Sequence, residues 1–397
     1  MNKFKNACFF ILAKLLTTFS PSPSYMAFAG AGSARQLCQH IHRSGFRRIL
    51  VVTDKPLRDL GIVDQALAGF ADTDVDVAFY DGVEPDPTFA QGAEGVAEQK
   101  RHNSEAVLAI GGGSSIDCAK LIAASATSTD DPKTWIGLGK VKHDTLPLFV
   151  IPTTAGTGSE ATMGAVISDP TTHEKGVLSG VGMHVEAAAL DPELQLGLPP
   201  SITAATGMDA LTHAVESYIC RWERGTSRSS ARQAIPMIFA NLRRACQQGD
   251  DVEAREAMVM AAYYAGISIN QVNVGNVHAI AHQLGGKYGI PHGLANAMVL
   301  PHALDFCLAE AEAPLAELAD LVGASQDGQT SAQKARAFID AVVQLRDDVG
   351  ISPVSDKIKA EDYDYLVDLA VTEATGYFSP RLLTNDGALT VLRKITA

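Results

Sequence analysis

Ile110-Gly-Gly-Gly-Ser-Ser-Ile-Asp-Cys-Ala-Lys120 follows the apolar run Ala106-Val-Leu-Ala-Ile110 and leads into a helical pattern. Gly111, Gly112 and Gly113 allow a tight turn and a close backbone approach to a ligand. A helix starting there offers free N–H groups and a positive dipole end to a phosphate. Ser114 and Ser115 add hydroxyl donors. The blander reading is a tight strand-to-helix turn, but three glycines and two serines at one junction favour phosphate. Working outward, Arg48–Thr53, Val75–Tyr80 and Leu148–Ile151 are further short apolar runs. Helical patterns at 33–44, 91–102 and 115–125 separate them. Continuous apolar strands belong to parallel sheets covered on both faces. Strand–helix repetition predicts an α/β, Rossmann-like, mostly parallel dinucleotide-binding domain.

A second polar loop, Ile151-Pro-Thr-Thr-Ala-Gly-Thr-Gly-Ser-Glu-Ala161, follows another strand. Thr153, Thr154 and Thr157 suit a ribose, a diphosphate or a nicotinamide amide, and equally the capping of the next helix. Asp54 ends the run Ile49–Thr53. A carboxylate there accepts the adenosine ribose hydroxyls and repels a 2′-phosphate, favouring NAD over NADP; it could also cap a helix before Pro56. The order departs from the standard fingerprint, in which the glycines precede the acid. Gly30-Ala-Gly-Ser33 lacks the third glycine and reads as a turn into the helix at 33–44.

After Leu198-Pro-Pro200 strand-like runs become rare, and amphipathic helices are predicted at 202–222, 228–247, 251–270, 294–309, 330–348 and 361–375. Proline stops a helix and restricts its predecessor. The expected organisation is an NAD-binding α/β domain over 1–199, with 1–26 an N-terminal helical extension, and an all-helical metal-binding domain over 200–397.

That second half carries Gly207-Met-Asp-Ala-Leu-Thr-His-Ala214, which puts Asp209 and His213 four apart on one helix face. Asn276-Val-His-Ala-Ile-Ala-His-Gln-Leu-Gly-Gly-Lys-Tyr-Gly-Ile-Pro-His-Gly293 adds His278, His282 and His292. Lone histidines are usually satisfied core or surface residues. A carboxylate with three imidazoles instead suits Fe(II) or Zn(II). A metal beside a dinucleotide suggests hydride transfer.

These motifs, with Leu190-Asp-Pro-Glu-Leu194, carry a resemblance from about Gly30 to the C-terminus. The chain resembles the iron-containing (group III) alcohol dehydrogenase family, in the superfamily that includes glycerol dehydrogenase and dehydroquinate synthase. The resemblance implies two domains with the active site in the cleft between them. It implies that Asp209, His213, His278 and His292 hold Fe(2+), with Zn(2+) acceptable to the same ligands. It places His282 near the substrate but outside the ligand set, as a proton relay or as support for a ligand. It implies NAD(P) contacts from the Gly111–Ser115 turn, the Thr153–Thr157 loop and Lys175, and a homodimer or higher homo-oligomer. The expected reaction is hydride transfer between a metal-bound primary alcohol or aldehyde and nicotinamide C4. A polyol dehydrogenase of glycerol type and a non-catalytic nucleotide sensor are the alternatives. The family often shows Asn-Pro-Arg near its C-terminus where this chain has Ser379-Pro-Arg381; the serine is expected to cap the final helix. The loop Thr162-Met-Gly-Ala-Val166 is expected to line the substrate pocket, its small residues leaving room for an unsubstituted substrate.

The formal charge of −13 over 397 residues argues against non-specific nucleic-acid binding and gives no polybasic support for a membrane surface. Six scattered cysteines without a C-x-x-C pair fit reduced thiols in a cytoplasm. The apolar run Ala7–Ala13 is too short to span a bilayer. Lys3, Lys5 and Ala27-Phe-Ala29 weakly imitate a secretory signal, but an amphipathic helix packed on the enzyme is the favoured reading, with a helix lying on a membrane surface as a further alternative.

Overall fold

The computed structural model describes residues 25–169 and 175–397. The expected N-terminal helix falls on residues 1–26, of which only the last two are described. The strands are β1 (Ala27–Ala29), β2 (Arg48–Val52), β3 (Asp76–Tyr80), β4 (Ala106–Gly111), β5 (Leu148–Pro152), β6 (Gly164–Ser168), β7 (Lys175–Ser179) and β8 (Ala187–Leu190). Six of them form one sheet in the order β1-β8-β5-β4-β2-β3, with every pair parallel. β6 and β7 form a separate antiparallel hairpin.

Successive side chains of a strand point to opposite faces, and both faces of this sheet are covered. Ile49, Val51, Leu108, Ile110 and Ile151 pack with Leu37 and Ile41 of the helix Ser33–Arg43. Leu50, Val52, Val107, Ala109 and Val150 pack on the other side with Ile116, Ala119 and Ile122 of the helix Gly113–Ser125. Each Val, Leu or Ile buried this way contributes about 1.5–3 kcal/mol, which is why these strands read as unbroken apolar runs.

The two faces also locate a crevice. The chain leaving β2 runs through the short helices Lys55–Asp59 and Ile62–Ala66 and sends Val63 and Ala66 to the first face. The chain leaving β4 forms Gly113–Ser125 on the second face. β2 and β4 are neighbours, so their connections part in opposite directions at the strands' carboxyl ends. That is the switch point where open α/β sheets bind ligands. Asp54 and Gly111–Gly113 stand at it.

From Pro200 onward the described chain is helical, apart from short 3₁₀ turns and loops. The helices Pro200–Ile219, Ser227–Gln247 and Val252–Val272 pack through Ala204, Ala210, Ala214, Ala231, Ala234, Ala261 and Ala265. Small side chains let these backbones approach closely. The same buried cluster takes in Ala155, Ala161, Ala188 and Leu190 from the sheet half. Arg255, 1 % exposed, ties the junction together. Its guanidinium donates to Leu198 O at 3.1 Å, Gly249 O at 3.0 Å and Thr203 Oγ1 at 2.7 Å, bracketing Pro199 and Pro200.

Several elements were not read from the sequence. β1 and β8 are alanine-rich, and alanine carries little strand preference; they form because each finds a neighbour in the sheet. Ala27-Phe-Ala29, the imitation of a cleavage site, is thus β1, paired with Ala188–Leu190 of β8. The helices Glu312–Leu321 and Asn385–Ile395 are further additions. The expectation for Ser379 is corrected. The final helix is capped by Thr384, whose Oγ1 accepts from Gly387 N at 3.1 Å. Ser379 is buried instead, its Oγ 3.2 Å from where a Cβ on Gly275 would lie.

Candidate metal centre and nucleotide edge

Asp209 and His213 lie one turn apart on the helix Pro200–Ile219, His278 on the helix Asn276–Tyr288, and His292 is the first residue of the helix His292–Cys307. Pro291 precedes that helix, so its entry is fixed by a residue that cannot continue helix upstream. One ligand atom from each of the four residues lies within 4.8 Å of the others. Asp209 Oδ1 is 3.8 Å from His213 Nε2, 3.9 Å from His278 Nε2 and 3.4 Å from His292 Nε2. A tetrahedral ion with ligands at about 2.1 Å holds them roughly 3.4 Å apart, so this donor set fits Fe(II) or Zn(II) after small shifts.

The electrostatics agree with a cation site. Burial pushes the Asp209 carboxyl up, but the imidazoles, His213 foremost, and the Asn296 amide outweigh it and hold it below the usual range. Burial drives His278 well below its ordinary value and His292 down to about 3. Both rings are therefore neutral and carry a lone pair. Behind His278 stands Glu216, raised to about 7 by burial. Its Oε1 accepts from Val277 N at 2.7 Å, and its Oε2 accepts from Gly275 N at 2.8 Å and from His278 Nδ1 at 2.6 Å. With Nδ1 carrying the proton, Nε2 is the nitrogen turned to Asp209.

His282 lies outside that group of four. Its ring stacks on His292 at 5.3 Å between centroids and meets His278 edge-on at 5.7 Å. Nδ1 is 2.6 Å from Glu373 Oε1, and Glu373 also accepts from Gln283 Nε2 and Tyr377 Oη at 2.7 and 2.6 Å. Glu216, Asn296 and Glu373 were not singled out from the sequence. Two of them carry a signal: Glu216 extends the Asp209–His213 stripe along one helix face, and Asn296 lies one turn after His292.

The residues expected to hold a nucleotide gather at the carboxyl edge of β2, β4 and β5. Thr153 N donates to Gly111 O at 2.9 Å, joining the two polar loops. A Cβ on Gly113 would meet Thr157 Cγ2 at 2.7 Å, and one on Gly112 would lie 3.4 Å from the Thr154 side chain. Gly111 has φ 153°, and Ser115 turns inward, its Oγ 2.4 Å from a Cβ there. Gly112, Gly113 and Ser114 remain partly exposed at the helix start. This cradle suits a phosphate. Asp54 caps the helix Lys55–Asp59, with Oδ1 accepting from Leu57 N at 2.9 Å, and burial raises its carboxyl. Thr157 Oγ1 accepts from Ser159 N at 3.3 Å.

The loop also reaches the helix that carries Asp209 and His213. A Cβ on Gly156 would meet Thr206 Cβ at 2.5 Å, three residues before Asp209. Lys175 Nζ donates to Asp86 Oδ1 at 2.6 Å and lies 3.7 Å from a Cβ on Gly285, beside the helix of His278 and His282. Of the loop 162–166, expected to line the substrate pocket, Thr162, Met163, Gly164 and Val166 are partly exposed. Ala165 is buried in a cluster with Leu121 and Trp135. Thr162 Oγ1 and Gly164 O accept from the buried Lys120 at 3.0 and 2.6 Å, and Asp117 Oδ2 accepts from Val166 N at 2.9 Å. These bonds anchor the loop on the helix Gly113–Ser125.

Among the described residues, no helix is long and apolar enough to cross a membrane. Two family models match the chain: iron-containing alcohol dehydrogenase over residues 24–192, and the C-terminal part of the Fe-containing alcohol dehydrogenase family over residues 203–396. The chain is 39% identical over 368 residues to alcohol dehydrogenase 4 of Schizosaccharomyces pombe, covering 92% of this chain and 86% of that one. It is 37% identical to the 1,3-propanediol dehydrogenase of Citrobacter freundii, with 85% and 88% covered. A crystal structure of 1,3-propanediol oxidoreductase superposes with a TM-score of 0.89 at 36% identity, covering 93% of this chain and 97% of that one.

Proposed function

The chain belongs to the iron-containing alcohol dehydrogenase family and is a metal-dependent oxidoreductase of alcohols and aldehydes; from that premise we propose which residues carry the reaction. Asp209, His213, His278 and His292 hold a divalent ion, Fe(2+) with Zn(2+) acceptable. NAD lies along Asp54, the Gly111–Ser115 turn and the Thr153–Thr157 loop. A bound ion supplies Lewis-acid polarisation of the substrate oxygen, and the nicotinamide gives or takes the hydride.

The observation that carries this reading is the Thr153–Gly158 loop. It packs against the glycine turn at Gly113 and against the metal helix at Thr206. A nucleotide cradled by the turn therefore has its reactive end directed toward the ligand group. The chain's contribution is distance and orientation. Glu216 holds the His278 tautomer. Glu373 holds His282 through Nδ1, leaving its Nε2 to take or give the proton of a substrate hydroxyl, directly or through a water. Asp54 sets the cofactor choice by repelling a 2′-phosphate. The substrate class is a small primary alcohol or its aldehyde.

The test is a panel of short alcohols and aldehydes, glycerol included, run with NAD and with NADP on protein of assayed metal content. Turnover of primary alcohols with NAD supports the assignment. Turnover confined to polyols, or no turnover in metal-loaded protein, overturns it.

A further inference from the structure

Asn296 sits on the helix His292–Cys307, one turn beyond His292, and is 0 % exposed. Its Nδ2 donates to Asp209 Oδ1 at 2.7 Å and lies 3.2 Å from Nε2 of both His278 and His292. Its Oδ1 is buried without a hydrogen-bond partner among the described residues. An amide buried with one end unsatisfied costs on the order of 1–3 kcal/mol. A leucine of similar volume would avoid that cost, so packing alone does not account for an asparagine here.

We infer that Asn296 is a positioning residue of the metal centre, whose N–H fixes the Asp209 carboxylate as a ligand through Oδ1. The lone-pair count supports this. A neutral imidazole has one lone pair on its acceptor nitrogen, and in His278 that nitrogen is Nε2, because Nδ1 donates to Glu216. Once that pair is given to an ion it cannot also accept from an amide. A carboxylate oxygen has room for both an ion and a hydrogen bond. Of the three contacts of Asn296, only the one to Asp209 is compatible with a loaded site, and it is also the shortest. Held this way, the carboxylate cannot swing to offer both oxygens, so the ligand geometry and the charge on Oδ1 are set from the helix that carries His292.

The inference rests on the four-residue ligand set proposed above, and the test separates the two. Chelator-stripped wild-type, Asn296→Ala, Asn296→Leu and His278→Ala proteins are titrated with Co(2+) and with Zn(2+), recording affinity by chelator competition and the visible Co(2+) absorption. Far-UV circular dichroism of the stripped proteins checks folding, and the leucine variant preserves volume if the alanine variant is poorly folded. Both Asn296 variants are expected to bind roughly 10- to 100-fold more weakly, the range typical of residues that orient ligands, and with a shifted Co(2+) spectrum. A folded Asn296→Leu protein with wild-type affinity and spectrum overturns the role of Asn296. Unaltered affinity in His278→Ala would overturn the ligand set itself.

Discussion

His278 Nδ1 and Glu216 Oε2 lie 2.6 Å apart in buried ground behind the candidate metal centre, and this bond decides which ring nitrogen faces Asp209. Every backbone neighbour hydrogen-bonded to the Glu216 carboxyl is also a donor. In Glu216→Gln the amide NH2 must confront one or more of these donors. Metal affinity is expected to fall roughly 10- to 100-fold, measured by chelator competition. Wild-type affinity in that variant would show that the tautomer is set elsewhere.

Removing a ligand outright should be more severe. His278→Ala is expected to lose stoichiometric metal and all measurable turnover, read by elemental analysis and an NADH absorbance assay. Near-normal activity with one bound ion per chain would be incompatible with the proposed ligand set.

Asp54 has two jobs that substitution can separate. Asp54→Asn keeps an acceptor for Leu57 N but removes the charge, whereas Asp54→Gly removes both. Both variants should narrow the preference for NAD by improving kcat/KM with NADP. The helix cap adds only about 0.5–2 kcal/mol of stability, so a lower melting temperature without a changed cofactor ratio would leave Asp54 as a cap alone.

His282→Ala should keep its metal while the maximal rate falls by roughly 10²-fold, the lower end of what a positioned proton-transfer group contributes. Metal loss in this variant would make His282 a ligand. An unchanged rate would make it a packing residue.

Burial raises Glu160 from about 4.5 to about 7. An acid whose folded pKa is raised contributes stability that is complete below its unfolded pKa and lost as pH rises through the folded one. Glu160→Gln removes that loss. The variant's melting temperature relative to wild type should therefore be more favourable at about pH 8 than at about pH 4. An equal offset at both would mean that Glu160 is not protonated in the fold.

The sequence by itself determined what is local or periodic. Unbroken apolar runs marked β2, β4 and β5, because strands covered on both faces have no solvent side to write in polar residues. Three glycines before a helix marked a tight turn, since only a residue without a Cβ lets Gly113 lie against Thr157. Asp209 and His213 announced themselves by sharing one helix face. Tertiary structure decided what depends on meeting partners. The alanine-rich β1 and β8 are strands only because the sheet supplies neighbours. Asp209 meets Asn296 across 87 residues of chain, His278 meets Glu216 across 62, and His282 meets Glu373 across 91. No repeat or spacing encodes such pairs. They exist because four helices pack closely enough for buried polar groups to find one another, and a buried polar group left without a partner would cost more than the contact it replaced.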